Sequence, residues 1–257
     1  GFYYPSLLYY PVEGKSSAIQ RSFFVDGKLP FKEFAVIEFY RLWKTDVDET
    51  YVDENGITVK RWRKDNQGND LKPGSIEVPD WISSYCYDNN GYITDPLPIY
   101  LTKGTHTISV LSLREPMLLH SLILKSAEKV LVYNDMKKIW DDMGAKETSG
   151  HLIRIEAENA SLTSSQMLYP RQDQSSPAVY PSSPKHLLNN SIGDNSWRNA
   201  HQWIEWDFYI PETGYYHISM HAKQSFLRGI NVSRKITIDG KVPFEEMSDY
   251  EFKYNSR

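Results

Sequence analysis

The sequence predicts an all-β protein made of β-sandwich modules in tandem, joined by one short helix and a linker. Three observations predict it. Apolar residues alternate with period two over most of the chain, as half-buried strands require. Asp-Gly dipeptides, which readily take the positive φ angles of tight hairpin turns, punctuate that alternation. One phrase is also written twice: VDGKLPFKE, from Val25, and IDGKVPFEE, from Ile238, lie 240 − 27 = 213 positions apart. At that offset the match runs on without a gap, setting Gly1 on Gly214, Tyr3 on Tyr216, Ser6 on Ser219, Arg21 on Arg234, Glu38 on Glu251 and Phe39 on Phe252. The period is longer than any solenoid unit, so it reads as a duplicated domain. The alternative is one β-hairpin used twice within a single domain.

The elements follow in order. Residues 2–11 and 19–25 are the first two strands, turning at Asp26-Gly27. Residues 45–95 form a long polar insertion, which its aromatics Trp62, Trp81, Tyr85, Tyr87 and Tyr92 favour as ordered. Strands at 98–101, 105–113 and 117–125 close the first module, with Lys103-Gly104 as a turn. Residues 127–144 break the period: Val130, Tyr133, Met136, Lys137 and Trp140 stand at helical spacing, and Gly144 suits a C-terminal cap. Lys146 to Gly150 reads as a linker, and residues 164–195, with four prolines, as a second insertion across the rim. In residues 202–210 the set Ile204, Trp206, Phe208 and Ile210 reads as core, with Trp203, Glu205, Asp207 and Tyr209 facing the other way. Pro211 to Gly214 then turns the chain into strands at 215–223 and 234–238.

The organisation expected is therefore the back of one module at 1–126, a helix and linker at 127–150, and the front of a second module at 151–257. Two arrangements are open to such pieces. Residues 151–223 could dock on the first module as a circularly permuted sandwich, with Ile155 against the strand at 117–125, or two half-sandwiches could stand open. Unpaired strand edges are a liability in either case.

Composition excludes several function classes. The net charge of −4 argues against nucleic acid, and the basic stretch Lys60 to Lys64 sits among acids as a solvated loop. No run of about 18 apolar residues spans a membrane. The single Cys86 excludes internal disulfides and a cysteine-built zinc site. There is no phosphate loop, no Gly-x-Ser-x-Gly elbow and no His-Glu-x-x-His helix. Glu245 and Glu246 would point to opposite faces of a strand, and Lys32 stands in place of Glu245 in the first copy. A non-catalytic protein is expected.

RIEAENA, from Arg154, and WIEWDFYIPETGYYHISM, from Trp203, resemble the opening of family 6 and family 35 carbohydrate-binding modules, which are jelly-roll sandwiches. That resemblance implies a structural calcium held by Glu156 and Glu158, since oxygen ligands suit calcium. The closing strand, where the family offers an Asp, reads LLHSLIL, with His120 or Ser121 at that place. A wider resemblance covers nearly the whole chain. RSFFVDGKLPFKE, PLPIYLTKGTHTISV, REPMLLHSLIL and FLRGINVSRKITIDGKVPFEE look like the tandem N-terminal region of large extracellular solute-binding proteins of Firmicutes-type ABC sugar importers. It implies an extracellular, lipid-anchored protein that takes an oligo- or polysaccharide and meets the importer permease through a solute-binding domain absent from this chain. Sugar binding by exposed aromatic faces and nearby hydrogen-bonding groups would then fall to Trp197, Arg198 and Trp203, and to Trp62 and Trp81 in the first insertion. The competing expectations are purely architectural spacer or docking modules, and accessory modules of a polysaccharide-degrading enzyme.

Overall fold

In the first strand alternation decides which side chains go inward: Leu7 and Tyr9 are fully buried, while Leu8 and Tyr10 between and beyond them are half-exposed. The computed structural model describes residues 1–47, 49–52, 58–176, 178–224 and 228–255. Its strands up to the helix are β1 (Phe2–Pro11), β2 (Ile19–Val25), β3 (Ile37–Phe39), β4 (Trp43–Asp46), β5 (Glu49–Val52), β6 (Thr58–Arg61), β7 (Gly74–Glu77), β8 (Ile82–Tyr85), β9 (Ile99–Tyr100), β10 (Ile108–Arg114) and β11 (Met117–Ser126). After the helix α1 (Tyr133–Asp142) come β12 (Leu162–Thr163), β13 (Pro170–Arg171), β14 (Ser191–Ile192), β15 (Ile204–Glu205), β16 (Val232–Arg234) and β17 (Tyr250–Phe252). The protein is an all-β sandwich of antiparallel sheets.

The chain forms two compact units, Gly1–Ala127 with Arg154–Phe208, and Glu128–Ile153 with Tyr209–Arg257. In the first, sheet β11-β1-β8, with β9 also on β1, and sheet β10-β2-β3 share one core. Leu7 and Tyr9 come from β1, Ile19 and Phe23 from β2, and Ile37 and Phe39 from β3. Phe34, Cys86, Leu97 and Ile99 fill the space between them. The Tyr9 hydroxyl is satisfied inside by the Tyr40 carbonyl at 2.8 Å, as a buried donor must be. Arg41, 2 % exposed, donates to the Val12 and Ser17 carbonyls and to Glu77 at 2.6 Å, so its charge is paired.

A third sheet, β15-β12-β4-β7, carries residues 154–208 onto the first unit. Thr163 pairs with Trp43, and Trp203 packs on the core with its ring edge-on to Tyr40 at 5.4 Å. The docking therefore runs through β4: residues 151–156 form no strand, so no ladder joins Ile155 to β11. The two polar insertions hold one another. Asp70, buried, takes the Lys64 ammonium at 2.6 Å and the Asn189 amide at 2.9 Å, while its own amide donates to the Leu187 carbonyl.

In the second unit the repeated phrase folds as it does in the first. Val232 pairs with Phe252, Ser233 with Glu251 and Arg234 with Tyr250; subtracting 213 gives Ile19 with Phe39, Gln20 with Glu38 and Arg21 with Ile37. The turns agree too: φ is 49° and 76° at Asp26-Gly27, and 50° and 73° at Asp239-Gly240. Both are closed by paired bridges, Val25 with Lys28 and Ile238 with Lys241. Helix α1 packs on this segment, with Trp140 edge-on to Phe244 at 6.2 Å and to Tyr215 at 6.1 Å.

Several expectations are corrected. The helix starts at Tyr133 rather than Ala127, because the Leu131 carbonyl is taken by the Glu245 amide and Val132 is extended. Residues 202–210 hold only the two-residue strand β15; Ile204 and Trp206 are half-buried and Glu205, Asp207 and Tyr209 exposed as expected, but Phe208 and Ile210 are exposed and Trp203 packs on the core. Residues 216–223 form no strand.

Candidate functional site

The register of sheet β11-β1-β8 puts a row of aromatics on its outer face. Residues opposite Leu7 and Tyr9 in the pleat, namely Tyr4, Leu8 and Tyr10, share that face with their directly paired neighbours Lys125, Ser121 and Leu118 on β11. Between Leu8 and Tyr9 the β11 register slips by one residue, and the extra residue is His120. A bulge re-aims its side chain. Here it brings the imidazole edge-on to the Trp81 indole at 5.6 Å, while Tyr10 meets the same indole edge-on from β1, also at 5.6 Å. Trp81, just ahead of β8, remains 47 % exposed, and its amide is fixed by the Asp80 carboxylate at 2.7 Å. Further along, the Lys125 ammonium lies 5.7 Å from the centre of the Tyr85 ring. The arrangement is an open aromatic platform with hydroxyl, imidazole and ammonium groups beside it, its Trp81 at the entry to β8 and its Tyr10 and His120 on paired strands.

The other predicted aromatics are placed differently. Trp203 is committed to packing against Tyr40, and its backbone amide donates to the Ser164 hydroxyl oxygen at 2.9 Å. Trp197 is half-buried, with Nε1 donating to the Gln202 carbonyl at 3.0 Å. Its indole lies where a Cβ on Gly193 would stand, 3.2 Å away, and Gly193 itself has φ 108°. Arg198 is exposed beside it, and Trp62 is half-buried after β6. Sequence reading passed over Tyr10; the signal was in β1, where Tyr10 falls out of phase with the core residues Leu7 and Tyr9.

Glu156 and Glu158, the residues at which calcium is expected, differ in their surroundings. The Glu156 carboxylate is ion-paired with Arg154 at 2.5 Å. Glu158 is 3 % exposed with Oε2 lacking a hydrogen-bond partner, and burial pushes its carboxyl up to about 7, Glu156 adding to the effect. Among the described residues no three His, Cys, Asp or Glu side chains gather as ion ligands. The neighbouring cation is instead Lys60, whose ammonium donates to the Ala160 carbonyl at 2.6 Å and whose pKa burial lowers to about 8. A cleft of about 390 Å³ opens between Lys60, Lys44, Thr50, Asn159, Ser161 and Asp207.

The basic stretch from Lys60 is internally engaged in the same way, with Arg61 on Glu49 at 3.2 Å and Lys64 on Asp70. Among the described residues no helix is long and apolar enough to cross a membrane. Compared with family models, curated proteins and solved structures, the chain has no match.

Proposed function

We infer that this chain is a non-catalytic, glycan-binding accessory region of an extracellular solute-binding protein serving ABC-type sugar uptake. The observation that carries the reading is the Trp81 platform. An indole half open to solvent, braced by Tyr10 and His120 on paired strands, offers the apolar face that sugar C–H groups stack on, with hydrogen-bonding groups at its edge. The ligand is an oligo- or polysaccharide laid along β11-β1-β8. The permease is reached through a solute-binding domain elsewhere in the full protein, and lipid anchoring at the cell surface follows from the same resemblance.

Affinity-gel electrophoresis on plant and microbial polysaccharides tests this. Retention is expected on at least one glycan, and W81A should weaken it about tenfold or more, the scale of one lost aromatic contact. W203A, which removes a core contact, should affect stability more than retention. No retention on any glycan would leave the architectural reading. That reading has its own support: the two copies of the phrase keep one register and one turn geometry, as a scaffold hairpin would.

A further inference from the structure

The second unit contains a cleft of about 270 Å³ lined by the charged Glu251 and Lys253 and by the apolar and aromatic Ile218, Met220, Ile236, Met247, Tyr250 and Phe252. Subtracting the period of 213 from the numbers of those six apolar and aromatic residues gives Pro5, Leu7, Phe23, Phe34, Ile37 and Phe39. All six of these are buried in the first unit, none more than 2 % exposed. The cleft is thus one half of a sandwich core laid open. Ile218 is 52 % exposed, Met220 48 % and Tyr250 49 %, where their counterparts Pro5, Leu7 and Ile37 are sealed.

The first unit shows what seals them. The hairpin β10–β11 pairs with both halves at once, β10 on β2 and β11 on β1. Its residues Ile108, Val110, Met117, Leu122 and Leu124 pack down on the core. Val110 lies opposite Phe23 and Ile108 opposite Val25, positions that become Ile236 and Ile238 in the second unit. There the matching sheet holds two strands, β16 and β17, and residues 216–223, the counterpart of β1, form none. An apolar face beside an unfinished sheet is a template for strand addition.

We propose that the open half-core of the second unit is a docking site for a β-hairpin of the β10–β11 kind, supplied by another polypeptide segment. Its chemistry is specified by the first unit: two antiparallel strands, one laying alternate Ile and Val side chains over Ile236 and Ile238, the other laying Leu side chains over Ile218 and Met220. The chain's own hairpin is not the occupant, since β1 and β2 already hold it in register along their length. This inference is independent of the glycan-binding reading.

The test adds a synthetic peptide with the sequence of residues 105–126 to the full chain and follows amide hydrogen exchange by mass spectrometry, with a scrambled peptide as control. Exchange at residues 216–223 and 232–238 should slow by about tenfold or more, and M220R should abolish that protection. Met220 is exposed enough that the substitution leaves the free chain folded. Three results would overturn the proposal: no protection, protection confined to residues 2–11 and 19–25 through exchange into the first unit, or concentration-dependent protection without peptide, which would make a second copy the occupant.

Discussion

Asp26 stands at the first corner of the repeated turn in a left-handed conformation, and its carboxylate is anchored on both sides. One oxygen accepts from the Thr107 amide at 2.9 Å and the other faces His106 Nδ1 at 2.7 Å. The Thr107 bond first, and His106 second, hold its carboxyl below the usual range; the bond to Asp26, then that to the Thr102 carbonyl, raises the His106 pKa. The His106 contribution to stability is therefore complete below about pH 6.5 and lost as pH rises through the elevated pKa. The Asp26 contribution is complete above about pH 4 and lost as pH falls. In D26N, NMR titration of His106 should show its pKa drop back toward the ordinary value. Glu158 behaves oppositely. Its pKa rises from 4.5 to about 7 in the fold, so the unfolded chain ionises first and stability falls as pH climbs through that interval. E158Q should remove the slope, leaving the variant more stable than the parent at pH 8 by about 2–3 kcal/mol and nearly equal at pH 4; denaturant unfolding at the two pH values checks it.

Turns of identical geometry should respond alike to the same change. G27A and G240A each force an L side chain to a φ of 76° or 73° where no neighbour lies within 4 Å of the new Cβ, so the cost is backbone strain alone, about 1–2 kcal/mol. G214A is different in kind. A Cβ there would meet the Lys146 carbonyl oxygen and the Thr148 methyl at less than 3 Å, so it should displace the linker from Tyr215 and cost more than either turn, as faster amide exchange at Tyr215 would report. These elements also show what the sequence made legible. Alternation with a nearby Asp-Gly turn defined β1 and β2 to the residue, because their partners β10 and β11 lie within the same unit. Residues 215–223 alternate too and yet form no strand, since period two selects a face and says nothing of whether a partner strand is present. Trp203 was misassigned for the same reason: the pattern separates it from Trp206 but does not say which of the two faces Tyr40. The Trp81 platform needed the β11 bulge at His120, which no local pattern announces.

Taken whole, the first unit is discontinuous in sequence, with residues 154–208 completing a body that residues 1–127 begin. The added segment is held at several places, among them the Thr163–Trp43 pairing, the Lys60 bond to the Ala160 carbonyl, the Asp70 cluster, the stacking of His201 on Tyr87, the Lys72 ammonium over the Tyr169 ring and the Trp203–Tyr40 contact. Trp203 and Leu162 of this segment pack against the shared hydrophobic core, and removal of the larger Trp203 side chain should weaken the core itself. Cys86 reports on that core. It is fully buried, its amide donates to the Pro5 carbonyl at 3.0 Å, and burial pushes its thiol pKa far up, so a thiol reagent reaches it only when the sandwich opens. Truncating a half-buried Trp is worth about 2 kcal/mol, so W203A should speed Cys86 labelling by about thirtyfold under native conditions. In a double-mutant cycle Y40A and W203A should couple by about 1 kcal/mol, the range of an edge-on aromatic pair. If W203A instead leaves Cys86 labelling unchanged, residues 154–208 ride on a sandwich that is complete without them, and the composite core is the wrong description of this unit.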